Sequence, residues 1–278
     1  MKPLSLNNFK SLLIYLLFFA NFAYSEDEVD IWKKNNIKKN NSENIQEFNS
    51  NKKTNNINIS NQMNFKAIQM NSDTSEDFEQ KNGSKAPAEI LQADLNVDED
   101  ITSLLQAVSG HEMVKKSGGL HALIHNASIY SSQDYDSVSL ETLRLNTRLH
   151  IEVPFLLTQG LLPQLKSVNG CVIGMVDTSL GLAWKGLSHY TSSKAGLRQL
   201  MMNLAGDLAP EVRVNCVAPG AIIAADWESE HFASVVEKVP LGRAGEPIDV
   251  AKAIMFLLES TYISGQIINV DGGWSVSP

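Results

Sequence analysis

Tyr190 and Lys194 close the run Tyr190-Thr-Ser-Ser-Lys194, and their four-residue spacing puts a phenol and an ammonium on one face of a helix. Thirteen residues before the tyrosine, Asp177 follows the apolar run Gly170-Cys-Val-Ile-Gly-Met-Val176. A carboxyl group whose pKa is raised by its surroundings can donate or relay a proton. A strand-end Asp is also a common turn cap, so the alternative is that Asp177 closes the next turn and Thr178 or Ser179 does the hydrogen bonding. Asp94, Asn126, Asp177 and Pro219-Gly220 each fall where an apolar run ends. In a parallel sheet such ends open onto one ligand crevice. Cys171 and Cys216 sit inside apolar runs with no metal-ligand spacing and no disulfide framework, so both read as packing residues.

The elements that must hold these groups lie after residue 85. Ala88–Ala93 reads as a strand, Asp98–Val108 as a helix and Leu120–Ile124 as a second strand. A long helical pattern covers 139–165, with Pro154 expected to kink it or to mark its first solid turn. Strand Cys171–Val176, helix Ser188–Leu208, strand Val212–Val217, helix Pro247–Leu258 and strand Gln266–Val270 follow. Strands alternating with helices at this spacing predict an α/β fold, a doubly wound parallel sheet covered on both faces.

The front third is different in kind. Residues 1–25 read as an export signal: Lys2 and Lys10, the apolar run Leu12–Ala20, then small residues before a cleavage site after Ser25. That run is too short for a stable membrane span. Residues 26–84 are rich in Asn, Lys, Ser and Glu, a composition expected to be disordered. The net charge of the 278 residues is −8, and the lysines of this tract are offset by Asp73, Glu76, Asp77 and Glu79. A solvated tail is expected there, and a nucleic-acid partner is not.

Asp94-Leu95, Asn126-Ala127, Tyr190-x-x-x-Lys194, Asn215-x-x-x-Pro219-Gly220 and Val270-Asp-Gly-Gly273 occur in the order found in the short-chain dehydrogenase/reductase family, which residues 85–278 resemble. Three details are similar to pteridine reductases within it: Asn126-Ala-Ser128, Asp177 where carbonyl reductases place a serine, and Tyr130 where an aromatic stacks on a pterin. A serine at 177 would donate to a carbonyl becoming an alkoxide, whereas an ionised aspartate would repel it. Reducing a C=N bond instead requires a proton at ring nitrogen, which a carboxyl can supply.

The resemblance implies a Rossmann-like fold and roles for named residues. Lys194 would hold the nicotinamide ribose, and its charge would lower the phenol pKa of Tyr190. His150 occupies the place of the family's relay Asn, where it would hold the relay water or simply pack, with Asn146 one turn earlier on the same face. Asp94 with Leu95 would meet the adenine, Asn126 with Ala127 would brace the central strand, and Ser128 with Pro219-Gly220-Ala221-Ile222 would line the nicotinamide. Trp184 and the segment 223–231 with Trp227 would form a substrate lid, the alternative for Trp184 being ordinary packing. The implied cofactor is NADPH, with NADH left open. The implied substrate is a dihydropterin or dihydrofolate-like ring, and the implied assembly a homotetramer. A ketone or 3-oxoacyl-thioester reductase is the alternative within the family. A cofactor argument places such an enzyme in the cytoplasm, while the signal-like segment points to export.

One family part is missing. Thr-Gly-x-x-x-Gly-x-Gly should precede the first helix, yet Gly83 is the only glycine before Lys85. Without that loop and the first strands, Ala88–Ala93 lacks a neighbour and Leu120–Ile124 is expected to be an exposed apolar edge. A cofactor-free relic or interaction protein is the reading from another class.

Overall fold

The computed structural model describes residues 91–224 and 228–277. The signal-like segment, the Asn-rich tract and Trp227 lie outside the described residues. From the described start the chain forms α1 (Asp98–Gly110), α2 (Glu112–Ser117), β1 (Ala122–His125), α3 (Leu140–Thr147), a π-helical turn (Arg148–Glu152), α4 (Val153–Gly160) and α5 (Leu162–Lys166). Then come β2 (Cys171–Met175), α6 (Ser188–Asp207), β3 (Arg213–Pro219), α7 (Ser229–Val236), α8 (Pro247–Glu259), β4 (Ile267–Val270) and a short 3-10 turn (Trp274–Val276).

The four strands are parallel and lie in the order β1-β2-β3-β4, with Ile124 opposite Ile173 and Ile173 opposite Asn215. Alternate side chains enter two cores. Leu123, Val172, Val214 and Cys216 pack with Ile101 and Leu104 of α1, Leu157 of α4 and Leu197 and Met201 of α6. Ala122, Ile124, Ile173, Met175 and Val217 pack with Leu257 and Leu258 of α8. Cover on both faces is why β2 is a continuous apolar run and β1 is apolar up to His125, while β3 also carries Arg213 and Asn215 and β4 Asn269. Cys171 and Cys216 are buried free thiols.

Two expectations are corrected. The single long helix over 139–165 is broken. Pro154 has no N–H and its ring crowds the carbonyl four residues back. The turn before it widens, so that Val153 N–H bonds the Arg148 carbonyl five residues earlier. Pro163 starts α5 in the same way. The strand expected over 88–93 is also not formed at its described residues, Leu91–Ala93. A strand needs a ladder partner, and none of the described residues supplies one. β1 is therefore an edge strand among the described residues, but its four side chains are all buried. The apolar surface expected to be exposed is covered from both cores. No helix among the described residues is long and apolar enough to cross a membrane.

Arg213 shows how the sheet holds α8. Its guanidinium donates to the carbonyls of Leu257 at 2.7 Å, Ser260 at 2.9 Å and Leu258 at 2.9 Å, with Ile263 at 3.2 Å. These are carbonyls at and just beyond the end of α8, where a cation also meets the negative end of the helix dipole. Arg213→Met should lower unfolding stability by about 3 kcal/mol, since it strands several acceptors at once. Urea titration of the two proteins measures this.

Candidate active site

Strand β2 runs straight into Val176-Asp177, and the Asp177 carboxylate is gripped from two sides. Oδ1 accepts the Ser179 N–H at 2.7 Å, and Oδ2 accepts the Tyr190 hydroxyl at 2.8 Å. Turn capping and a bond to the phenol therefore coexist. Thr178 is turned away, its hydroxyl donating to Asp271 Oδ2 at 2.8 Å. Asp271 also accepts the N–H groups of Gly273 and Ser275. Burial alone would raise its pKa, but the bonds from Ser275, Thr178 and Gly273 hold it below the usual value.

Tyr190 lies in the first turn of α6 and Lys194 one turn on. Lys194 is 3% exposed, its Nζ donates to the Met175 carbonyl at 2.8 Å, and it lies 5.9 Å from the Tyr190 ring centroid. An ammonium has three donors, so two remain for a ligand. Burial lowers the Lys194 pKa from 10.5 to about 8, opposed by the charge of Asp177. Its charge is present below that value and lost as pH rises through it.

The expectation that Lys194 pulls the phenol pKa down is overturned. Burial first, and then the charge and hydrogen bond of Asp177, hold Tyr190 well above the ordinary tyrosine value. A carboxylate oxygen at 2.8 Å outweighs a more distant ammonium. Tyr190 is a neutral phenol that donates.

The expected relay role of His150 also changes. His150 is wholly buried in the π-helical turn. Ser193 hydroxyl donates to the Tyr190 carbonyl at 2.7 Å, so its oxygen accepts from His150 Nδ1 at 2.7 Å. His150 Nε2 then accepts, from Ser128 hydroxyl at 3.0 Å and more weakly from Ile129 N–H at 3.4 Å. Both ring nitrogens are bonded to protein groups, which favours the packing alternative. Burial, and next the charge of Lys194, keep the imidazole neutral with its pKa well below 6.5. The ring buttresses Tyr190 edge-on at 5.8 Å. Asn146 is buried one turn earlier, its Nδ2 bonded to the Thr142 carbonyl and its Oδ1 without a partner among the described residues.

Tyr130 meets Tyr190 edge-on, with ring centroids 4.9 Å apart. Its phenol is pushed up by burial, then by the charge of Glu228 and a hydrogen bond to it, and last by Asp177. Trp184 donates to the Ser179 carbonyl at 3.3 Å, stacks on Trp274 and meets His231 of α7 edge-on, each at 5.8 Å. It thus ties the 180s loop to α7.

The remaining expected residues are placed as follows. Asp94 Oδ1 accepts from Asn96 N–H at 2.9 Å and closes a local turn. Leu95 is in the core, and its carbonyl accepts from Arg148 Nε at 3.3 Å. Arg148 also pairs with Asp98, and with Glu152 at 3.0 Å. Asn126 and Ala127, beyond β1, line a cavity of about 20 Å³ with Leu95, Leu149, Pro154 and Leu197. Gly220 N–H bonds the Val270 carbonyl, and a β-carbon on Gly220 would lie 2.8 Å from the Asp271 backbone, which is why glycine stands there. Gly245 N–H bonds the Ala221 carbonyl at 2.9 Å and fixes the loop that leads to Ile222.

Sequence reasoning missed Ser193 and Glu228. Ser193 was legible as a polar residue three beyond Tyr190, one helical turn on. Glu228 carried no signal beyond its place in the 223–231 lid segment.

A family model described as enoyl-(acyl carrier protein) reductase matches residues 63–275, starting ahead of the residue-85 boundary that the motifs alone give. Dihydromonapterin reductase of Enterobacter sp. (strain 638) is 31% identical over 198 residues, 68% of this chain and 78% of that protein. The 3-oxoacyl-[acyl-carrier-protein] reductase of Mus musculus is 33% identical over 190 residues, 66% of this chain and 76% of that protein. The structure of FolM alternative dihydrofolate reductase 1 from Brucella suis in complex with NADP matches with a TM-score of 0.63 and 27% identity, covering 74% of this chain and 82% of that one.

Proposed function

The chain belongs to the short-chain dehydrogenase/reductase family, and on that premise we propose that it reduces a C=N bond in a dihydropterin or dihydrofolate-like ring, with NADPH as the reductant. The observation that carries this is the 2.8 Å bond between Tyr190 and Asp177. A ketone reducer needs a donor at position 177 to steady an alkoxide. A carboxylate there opposes that charge. A ring nitrogen gaining a proton faces no such penalty.

The proton rests on Tyr190 Oη, where burial and Asp177 hold it. The Tyr190–Asp177 pair delivers it to the ring nitrogen, forming the N–H bond as the adjacent carbon gains hydride. Lys194 supplies the neighbouring positive charge that keeps the pair's growing negative charge affordable. His150 and Ser193 fix the Tyr190 turn. Bound, NADPH supplies the hydride.

The nicotinamide-ribose half of that cofactor fits. Lys194 has two donors to spare at a buried position one helical turn from Tyr190. The pyrophosphate half has no glycine-rich loop in the sequence. NADPH affinity is therefore expected to be weaker than a complete loop gives. Because the Lys194 charge disappears above about pH 8, kcat/KM should decline as pH rises through that value. A pH–rate profile from pH 6 to pH 10 checks it.

A second reading, reduction of a ketone or 3-oxoacyl thioester, is favoured by the likeness to the mouse protein. Purified full chain should oxidise NADPH with dihydropterin and be slow with a 3-oxoacyl thioester. The reverse ranking selects the second reading. No saturable NADPH signal at millimolar concentration overturns both and favours a cofactor-free relic.

A further inference from the structure

The turn after β2 is held residue by residue. Asp177 Oδ2 accepts the Tyr190 hydroxyl at 2.8 Å, the Thr178 hydroxyl donates to Asp271 Oδ2 at 2.8 Å, and the Ser179 carbonyl accepts the Trp184 indole N–H at 3.3 Å. The Ser179 N–H closes the turn on Asp177 Oδ1 at 2.7 Å. β2 itself ends at Met175, so the strand alone does not fix the Asp177 carboxylate.

The ties on Thr178 and Ser179 lead to one place, the turn 271–275 beyond β4. Asp271 begins that turn, and its Trp274 stacks on Trp184 with ring centroids 5.8 Å apart. The turn is closed on its own carboxylate: Asp271 Oδ1 accepts the Gly273 N–H at 3.0 Å and Oδ2 the Ser275 N–H at 2.9 Å. Gly272 and Gly273 take φ values of 63° and 87°, and a β-carbon on Gly272 would lie 2.5 Å from Val239 Cγ1. Glycine adopts such a backbone without steric cost. Asp271-Gly-Gly273 therefore builds a fixed anchor, a carboxylate only 9% exposed that carries three donors. Proton delivery is sensitive to such anchoring, because a displacement of about 1 Å at the reacting groups costs on the order of 10²-fold in rate.

We infer that the turn 271–275 is a positioning element for proton delivery, Asp271 acting through Thr178 and Trp274 through Trp184 to hold the Asp177 carboxylate against the Tyr190 phenol. This rests on the dihydropterin reading and deepens it. Asp271 and Trp274 are positioning residues, and neither touches the proton being transferred. The two arms grip different neighbours of Asp177, one through the Thr178 side chain and one through the Ser179 carbonyl. Slackening either arm lets the carboxylate drift from the phenol. Lys194 lies on α6, a separate element, so cofactor binding is spared.

The test uses Thr178→Val in the full chain. Valine keeps the branched shape and removes one hydroxyl, while Asp271 keeps its bonds to Gly273 and Ser275. For dihydropterin, kcat should fall about 10–100-fold, with KM for dihydropterin and for NADPH within about 3-fold. Thr178→Ser restores the hydroxyl and should return kcat to within about 3-fold of the parent. In a crystal structure of Thr178→Val, the separation of Asp177 Oδ2 from Tyr190 Oη should exceed about 3.0 Å, the upper end for an O–H···O bond. Trp274→Phe loosens the other arm and should lower kcat by a smaller factor; it carries the test if the valine variant does not fold. An unchanged kcat in either variant, a fall matched by an equal rise in KM, or a fall in Thr178→Val that serine does not restore overturns the role of the turn and leaves the reductase reading intact. If the parent does not turn over dihydropterin, the reductase reading falls and the separation decides. A longer separation in the variant then supports the role of the turn, and an unchanged one overturns it.

Discussion

Asp177→Ser should lower kcat/KM for dihydropterin by about 10²–10⁴-fold, the range spanned by loss of a positioned acid–base group. The argument is geometric. Among the described residues, Asp177 Oδ2 is the acceptor of the Tyr190 hydroxyl, at 2.8 Å. Serine is shorter and supplies one hydroxyl, so the pair that shares a proton becomes a phenol beside a neutral donor. A carbonyl substrate wants that donor. Activity on a 3-oxo substrate should therefore hold steady or increase while dihydropterin turnover collapses. The substitution also removes the acceptor for Ser179 N–H, so thermal melts should accompany the kinetics, and turnover should be compared between substrates within the same preparation. Equal losses on both substrates would mean that Asp177 serves the fold alone.

Acid should unfold this protein early, and His125 should be one of the causes. His125 ends β1, is fully buried and bonds Thr158 Oγ1 through Nε2 at 2.9 Å. Burial lowers its pKa from 6.5 to about 3. His150 and His189 are lowered too, burial being the first cause in each. A folded-state pKa below the unfolded value means that the unfolded chain binds more protons between the two. Stability is then complete above pH 6.5 and is lost as pH falls from 6.5 toward 3. His125 alone should account for about 4 kcal/mol by the lower end of that window. Urea titrations at pH 7, 5 and 4 measure the slope. His125→Asn should make it shallower, while His150, His189 and Asp271, the last held ionised by its hydrogen bonds, should keep an acid dependence in either protein.

The strands were legible because each is short and mostly apolar; β1 and β2 are buried along their whole length, while β3 and β4 keep the signal despite Asn215 and Asn269. Strand ends were legible for the same reason: polarity returns at Asn126, Asp177 and Pro219-Gly220 as the chain leaves the core. The breaks in the helical pattern over 139–165 were only half legible. Pro154 announced an interruption, but the widened turn that buries His150 depends on how Arg148 and Val153 bond. Spacing placed Tyr190 and Lys194 on one face, and it could not say that burial and Asp177 outweigh the ammonium. That balance is set by distances across the fold. Glu228 was legible only as part of the 223–231 lid segment, for a related reason. A lone acidic residue before a helix looks like a solvated cap until the tertiary structure turns it toward Tyr130.

The most direct test is a structure of the full chain with NADP and a dihydropterin bound. The account predicts the reducible ring nitrogen within about 2.6–3.2 Å of Asp177 or Tyr190 Oη. A ring turned so that its carbonyl faces Tyr190 and its nitrogen faces solvent, with Asp177 contacting protein alone, would contradict it.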